Sequence, residues 1–242
     1  MKFLLAPIGM AILLLGPLPA MAENLSEARI KELVYEAIRE NPGIVMEAVE
    51  LLQAQEAEQQ AAAASQVLSA HRDTLENDPN APVLGNPEGD VTVIEFFDYN
   101  CPYCKRVAPE VKAIMADDAN IRVVYREWPI LGEGSVFAAR AALASRKQGK
   151  YEAFHWALMD LKGRADEASV LRAAEEVGLD VNQLREDMEA PEVDEHIATS
   201  MALTQTLGFD GTPSFVIGEA LVPGFIEQSQ LAELVSQART GN

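Results

Sequence analysis

Cysteine is nearly absent from this chain. There are two, Cys101 and Cys104, in 242 residues. A structural zinc site needs four ligands, and the three histidines, His71, His155 and His196, are scattered singly. A purely structural disulfide normally joins distant segments, because a short loop constrains the unfolded chain least. Basic residues are also scarce, 19 against 38 acidic, for a formal charge of −19. That balance speaks against nucleic acid and anionic lipid surfaces as partners. There is no internal repeat. Only one long apolar run occurs, at the N-terminus, so no second segment is a candidate membrane span.

The two cysteines form a CxxC pair, Cys101-Pro102-Tyr103-Cys104. They follow an apolar run, Val91 to Phe97, and open a stretch that reads as a helix from Lys105 to Met115. A pair of thiols at a strand-to-helix turn is the arrangement of thiol–disulfide exchange. A thiolate at Cys101 faces the unpaired N–H groups and positive dipole end of that helix, so its pKa is expected to fall. Cys104, one turn further in, is within reach to close a disulfide on Cys101. The competing chemistry is capture of copper(I) by two thiolates in one subunit, since soft thiolates select that ion.

The N-terminus says where the thiols work. Met1-Lys2 is a short positive start, Phe3 to Leu18 is apolar, and Ala20-Met21-Ala22 is an A-x-A cleavage site. Residues 1–22 therefore read as a secretory signal peptide. A membrane anchor is the alternative, but the run carries Pro7, Pro17 and Pro19 and is barely long enough to span. Lys2 is its only charged residue, so cleavage after Ala22 leaves a chain near −20. The expected location is an oxidising compartment, the bacterial periplasm.

Residues 23–78 form a candidate helical arm. Ser26 is a plausible N-cap, and Ile30, Leu33, Val34, Ala37 and Ile38 make one apolar stripe. Asn41-Pro42 stops or kinks this helix. A second runs from about Gly43 to about Glu76, with a Glu/Gln/Ala-rich middle that buries little. Such an arm has too little core of its own and must dock on the main domain or on another chain, which makes a homo-oligomer possible through it.

Asn77 to Pro82 is a polar, proline-containing linker, and Asn86 to Asp90 a turn. Residues 79–242 then read as β-α-β, a helical block at about 134–207, and β-β-α. The strands are Val91 to Asp98, Ile121 to Glu127, Ser214 to Ile217 and Leu221-Val222, and the last helix is Gln228 to Arg239. The first two strands are parallel and joined by a helix containing Pro109, a right-handed crossover. This α/β order, with CPYC at the first strand–helix junction, looks like a thioredoxin fold with an inserted helical domain, preceded by the N-terminal arm.

Two further positions carry chemistry on their own residues. Glu95 stands in a strand whose two faces are both apolar, as in a central strand covered on both sides. A carboxyl there is at least partly buried, with a raised pKa, and can pass a proton to or from Cys104. The alternative is an exposed glutamate. Thr212-Pro213 precedes a strand, and bonds before proline are those that become cis at low cost. The alternative there is an ordinary trans proline starting an edge strand.

With Glu95 to Cys104, Pro109, Gly211-Thr212-Pro213 and Val222-Pro223-Gly224-Phe225 in place, residues 82–240 resemble the DsbA family of thiol–disulfide oxidoreductases. The subgroup with an added helical arm is the suppressor-of-copper-sensitivity C proteins. The resemblance implies that Pro213 is cis and lies against the redox pair, and that Thr212 offers its backbone to a client strand. It also implies an acid at position 95. It implies a redox-active Cys101–Cys104 disulfide with no other cofactor and no metal. The partners it implies are exported proteins bearing thiols or disulfides and a membrane redox partner for recycling.

The direction of exchange is open in the sequence. Pro102-Tyr103 stands where strongly oxidising members carry Pro-His. A histidine stabilises the thiolate by charge, and Tyr103 cannot. Thr212 and the arm lean toward an oligomeric isomerase or reductase rather than an oxidase. A periplasmic copper-binding or holdase protein is the reading from another class. Trp128-Pro129 and Phe225 are candidates for an apolar client surface or for core. His155 and His196 read as structural or surface, and Lys105 and Arg126 as surface partners of acids near the site.

Overall fold

The structure, a computed structural model, describes residues 26–241. The expected signal peptide lies outside them. The chain divides into two compact units, with the break between Glu56 and Ala57.

In the first unit, α1 (Glu27–Glu40) begins at Ser26, whose side chain accepts from Arg29 N. No residue of α1 is buried. After Asn41-Pro42, α2 (Gly43–Asn77) starts. Its first turns are apolar yet exposed, with Ile44, Val45, Met46, Val49, Leu51 and Leu52 open to solvent.

The sequence boundary at residue 78 marks the end of α2, but the second compact unit starts earlier, at Ala57. The reason is burial: Leu68 and Leu75 are 1% exposed and belong to a core cluster with Ile94, Phe96, Val124 and Val216. Thus the C-terminal half of α2 is part of the second unit.

That unit is built on a five-stranded sheet in the order β1-β3-β2-β4-β5. The strands are β1 (Val83–Gly85), β2 (Val91–Phe97), β3 (Ile121–Glu127), β4 (Ser214–Ile217) and β5 (Ala220–Pro223). β2 and β3 are parallel, with Glu95 opposite Tyr125; the other neighbours are antiparallel. β2 is buried on both faces, as its unbroken apolar pattern demands. One face carries Val93 and Phe97 into a core with α3 (Pro102–Asp117), α9 (Gln228–Thr240) and the inserted helices. The other carries Ile94 and Phe96 onto α2 and α8 (Pro191–Leu207). The insertion supplies α4 (Glu133–Ala144), α5 (Tyr151–Met159), α6 (Glu167–Glu176) and α7 (Val181–Asp187). β1 was not expected from the sequence; its three residues are too few to show a period.

Arg126 corrects the reading of it as a surface partner. It is fully buried on β3 and pairs with Asp78 Oδ2 at 2.5 Å. Its guanidinium also donates to Thr74 O and, at 3.2 Å, to Leu75 O. Arg122 donates to Glu76 O at 2.5 Å. Two arginines of one strand thereby satisfy the last carbonyls of α2, which helix geometry leaves without intrahelical partners.

Candidate active site

The Cys101–Cys104 pair sits where β2 hands over to α3. Cys101 is the N-cap, with extended backbone at φ −77° and ψ 119°, and Pro102 occupies the first turn, where a missing N–H costs nothing. The Cys104 backbone N–H donates to Cys101 Sγ at 3.4 Å, and Cys101 Sγ donates to Thr212 O at 3.2 Å. The Thr212–Pro213 bond is cis, and Gly224 N donates to Pro213 O at 2.8 Å, tying the β5 hairpin end to it. Both cysteines are free thiols.

The two sulfurs differ in kind. The Cys101 thiol is pulled down to about 6, most by the hydrogen bond of the Cys104 thiol. Thr212 and the backbone amides of Cys104 and Tyr103 add to this, against a desolvation that opposes it. Cys104 is completely buried, and its thiol is pushed well up, first by that burial and then by Cys101 and Glu95. Glu95 is 1% exposed, its Oε1 has no protein partner, and its carboxyl is raised to about 8 by burial and then by the charge of Cys101. It is thus protonated at neutral pH. The structure brings Cys101, Cys104, Glu95, Thr212 and Pro213 together. Pro102 and Tyr103 are exposed at the mouth.

The three residues before Cys101 bind in three places that sequence reasoning missed: Asp98 at the β3–α4 connection, Tyr99 between β3 and α5, and Asn100 within the insertion. Asp98 Oδ2 accepts from Ile130 N at 2.8 Å and Leu131 N at 2.9 Å. Tyr99 OH donates to Glu127 Oε1 at 3.1 Å and lies 3.0 Å from His155 Nδ1. Asn100 accepts from Ala165 N at 2.6 Å and donates to Ala165 O and Ser135 Oγ, both at 3.1 Å. The seam is close: a Cβ at Gly134 would stand 2.1 Å from Ala165 O. Glu127 is buried, accepts also from Tyr151 OH at 3.3 Å, and its carboxyl is held well above the usual range by desolvation. The available signal was weaker than for Glu95, an acid at the end of a strand that also carries Arg122 and Arg126.

Other expectations change. Lys105 does not pair with an acid near the site; its ammonium donates to Leu161 O at 2.7 Å and Gly163 O at 3.0 Å. Trp128 is core, packed with Phe96 and Phe209 rather than facing a client. Phe225 is half-buried under the Arg106 guanidinium, 4.1 Å from its ring centre. His155 and His196 are buried, and burial brings both down to about 3, so they are neutral. His196 Nε2 accepts from Glu127 N at 3.1 Å.

A lowered thiol over a buried, raised one, beside a cis proline, is the site of a thioredoxin-fold thiol–disulfide oxidoreductase. The DSBA-like thioredoxin domain model matches residues 92–236, and the chain belongs to that family. The N-terminal domain model of the copper resistance protein ScsC matches residues 27–59. A crystal structure of a thioredoxin-like oxidoreductase from Silicibacter pomeroyi DSS-3 is 72% identical, covering 70% of this chain and 98% of that one, with TM-score 0.69. Proteus mirabilis ScsC in a transitional conformation is 30% identical, over 90% of this chain and 99% of that one, with TM-score 0.67. Among curated proteins, the Na(+)/H(+) antiporter NhaA 1 of Salinispora arenicola is 31% identical over 161 residues, 66% of this chain. The chain spans about a quarter of the length of such antiporters.

Proposed function

We propose that this protein exchanges disulfides in exported client proteins in the periplasm through Cys101 and Cys104. The observation that carries the reading is the asymmetry of the two thiols, one lowered to about 6 and one raised by burial. In the oxidising direction a client thiolate attacks Cys101 Sγ of the Cys101–Cys104 disulfide. The S–S bond breaks toward Cys104, which leaves with the electron pair and takes a proton from Glu95. A second client thiolate attacks the client sulfur of the mixed disulfide. Cys101 leaves as a thiolate, favoured by its low pKa, and the client holds the new disulfide. Two electrons have passed to the enzyme, and a membrane redox partner removes them. Thr212 presents backbone groups to the client beside Pro213.

The test is the pH dependence of alkylation of the reduced protein. Cys101 is expected to react with a midpoint near pH 6, and Cys104 not below the usual thiol range. A single midpoint near 9 for both thiols would refute the reading. If copper(I) instead protects both thiols stoichiometrically and no client or insulin disulfide turns over, the copper-binding reading replaces it.

A second reading, an oligomeric isomerase or reductase, is favoured by the first unit. Ile30, Leu33, Val34 and Tyr35 on α1 and the apolar start of α2 are exposed, more than a lone soluble helix pair sustains. Burying one aliphatic side chain fully contributes about 1.5–3 kcal/mol. Residues 23–242 are expected to scatter light as a multimer and residues 57–242, which keep the part of α2 that packs on the sheet, as a smaller species. A monomeric 23–242 protein removes this reading and leaves the oxidase.

A further inference from the structure

The exchange chemistry uses one buried acid of the sheet, Glu95, and leaves another, Glu127, without a part. Glu127 closes β3 and is fully buried. A buried carboxyl is costly unless it is hydrogen-bonded. This one is only half satisfied: Oε1 accepts from two hydroxyls, while Oε2 has no partner among the described residues. Apolar groups of the same shape in place of acid and hydroxyls would carry no such cost. The use of an acceptor here lies in what the two hydroxyls belong to. Tyr151 is on α5, whereas Tyr99 is in the turn that delivers Cys101.

That turn runs Asp98-Tyr99-Asn100-Cys101. Cys101 N donates to Asp98 O at 3.0 Å and Asn100 N to Asp98 Oδ1 at 2.7 Å, so the four residues form one closed unit. Asp98 and Asn100 tie the unit to loops. Tyr99 instead ties it to the sheet. Glu127 stands opposite Phe97 in the β2–β3 register, and Trp128 N donates to Phe97 O at 2.9 Å. The carboxyl is therefore carried by the strand beside the root of the turn. With the Tyr99 proton directed at Glu127, His155 Nδ1 supplies its own N–H to the Tyr99 oxygen, and a hydroxyl held from both sides has one orientation. Downstream of the turn, Cys101 Sγ meets Cys104 N at 3.4 Å and Thr212 O at 3.2 Å. Contacts of this kind weaken steeply as their geometry is lost.

We propose that Glu127 is a positioning residue for the exchange: by accepting from Tyr99 OH it fixes the Asp98–Cys101 turn, and through the turn the place of Cys101 Sγ among its donors. The inference deepens the proposed exchange function and rests on it. Glu127 acts through Tyr99, and its second donor, Tyr151, supplies the control, because Tyr151 grips the same oxygen without belonging to the turn.

The test compares Tyr99→Phe with Tyr151→Phe in the reduced chain of residues 23–242. Each variant keeps its ring and removes one hydroxyl from Glu127 Oε1. The Cys101 midpoint, read by thiolate absorbance and by alkylation, is near 6 in the parent. Tyr99→Phe is expected to move it to about 7, roughly a tenfold change in the thiolate equilibrium. Tyr151→Phe is expected to leave it near 6, although both variants melt earlier than the parent. A thiolate stabilises the reduced state, so at pH 7 Tyr99→Phe loses about fivefold of that stabilisation. Its reduction potential against glutathione is expected to fall by roughly 20 mV, at about 30 mV per tenfold. Glu127→Gln keeps an acceptor and is expected to rescue the parent midpoint, whereas Glu127→Leu is expected to follow Tyr99→Phe. Where Glu127→Leu fails to fold, the two tyrosine variants decide. Equal midpoints in those two, both moved or both unmoved, overturn the proposal. So does a Glu127→Gln midpoint displaced as far as that of Tyr99→Phe, since the acceptor would then not be what matters. A parent protein that has no lowered midpoint and turns over no insulin disulfide would instead overturn the exchange function.

Discussion

Replacing Cys101 with serine is expected to abolish dithiol turnover, a loss on the order of a thousandfold or more. Replacing Cys104 with serine is expected to trap clients on Cys101 as mixed disulfides. The two outcomes differ because the two sulfurs have different surroundings. Cys101 caps α3 and is ringed by donors from Cys104, Thr212 and Tyr103, so it is largely thiolate at pH 7. A thiolate is the attacking and the leaving form. Cys104 is 0% exposed and held protonated. It is expected to meet no client and to act only through Cys101, as the sulfur that leaves it or attacks it. Non-reducing gels and intact-mass measurement of each variant with a scrambled, disulfide-bonded client decide the matter. A mixed disulfide accumulating on Cys101→Ser, through Cys104, would reverse the roles.

Much of this site was legible because it is local in the chain. The strand, the N-cap, Pro102 and the helix lie within Val91 to Asp117, and an apolar run followed by CPYC announces them together. Thr212-Pro213 is remote; its residues marked a bond able to be cis, and only resemblance to a family set it against the redox pair. The cis bond and the 3.2 Å approach of Thr212 O to Cys101 Sγ come from the fold. Asp98, Tyr99 and Asn100 were passed over because each finds its partner more than 25 residues away in the chain. Arg126 was misread for a related reason. Its parity placed it with Val124 on the α2 side of β3, and a charge there is tolerable only with Asp78 and the carbonyls of α2 around it. Burial of that kind is a property of packing, and the linear pattern of charges does not display it.

Glu95→Gln is expected to change both the rate of exchange and the pH dependence of stability. The carboxyl is raised from near 4.5 to about 8, by burial first. The folded state therefore holds this proton more tightly than the unfolded chain. Its contribution to stability is fully present below pH 4.5 and is lost as pH rises toward 8 and through it. With 1.36 kcal/mol per pKa unit, the whole swing is roughly 5 kcal/mol in the reduced protein and smaller in the oxidised one. Glutamine carries no proton to lose, so the oxidised variant is expected to melt at nearly the same denaturant concentration at pH 5 and to resist more than the parent at pH 9. Some slope persists in the variant, because Glu127 is also raised and lies on the same face of the sheet. Oxidised protein is the right reagent: a disulfide at Cys101 carries no charge, which removes the second cause of the Glu95 shift and leaves burial. In exchange, Glu95 is the acid beside a Cys104 that cannot stand as a thiolate. Its loss is expected to slow the steps that move the Cys104 proton by about a hundredfold: formation of the mixed disulfide when the enzyme oxidises a client thiol, and its resolution by Cys104 when Cys101 has attacked a client disulfide. Stopped-flow rates across pH 6–8 separate the two. Equal rates for variant and parent across that range, with the stability difference still present, would leave Glu95 a buried acid without a part in the exchange.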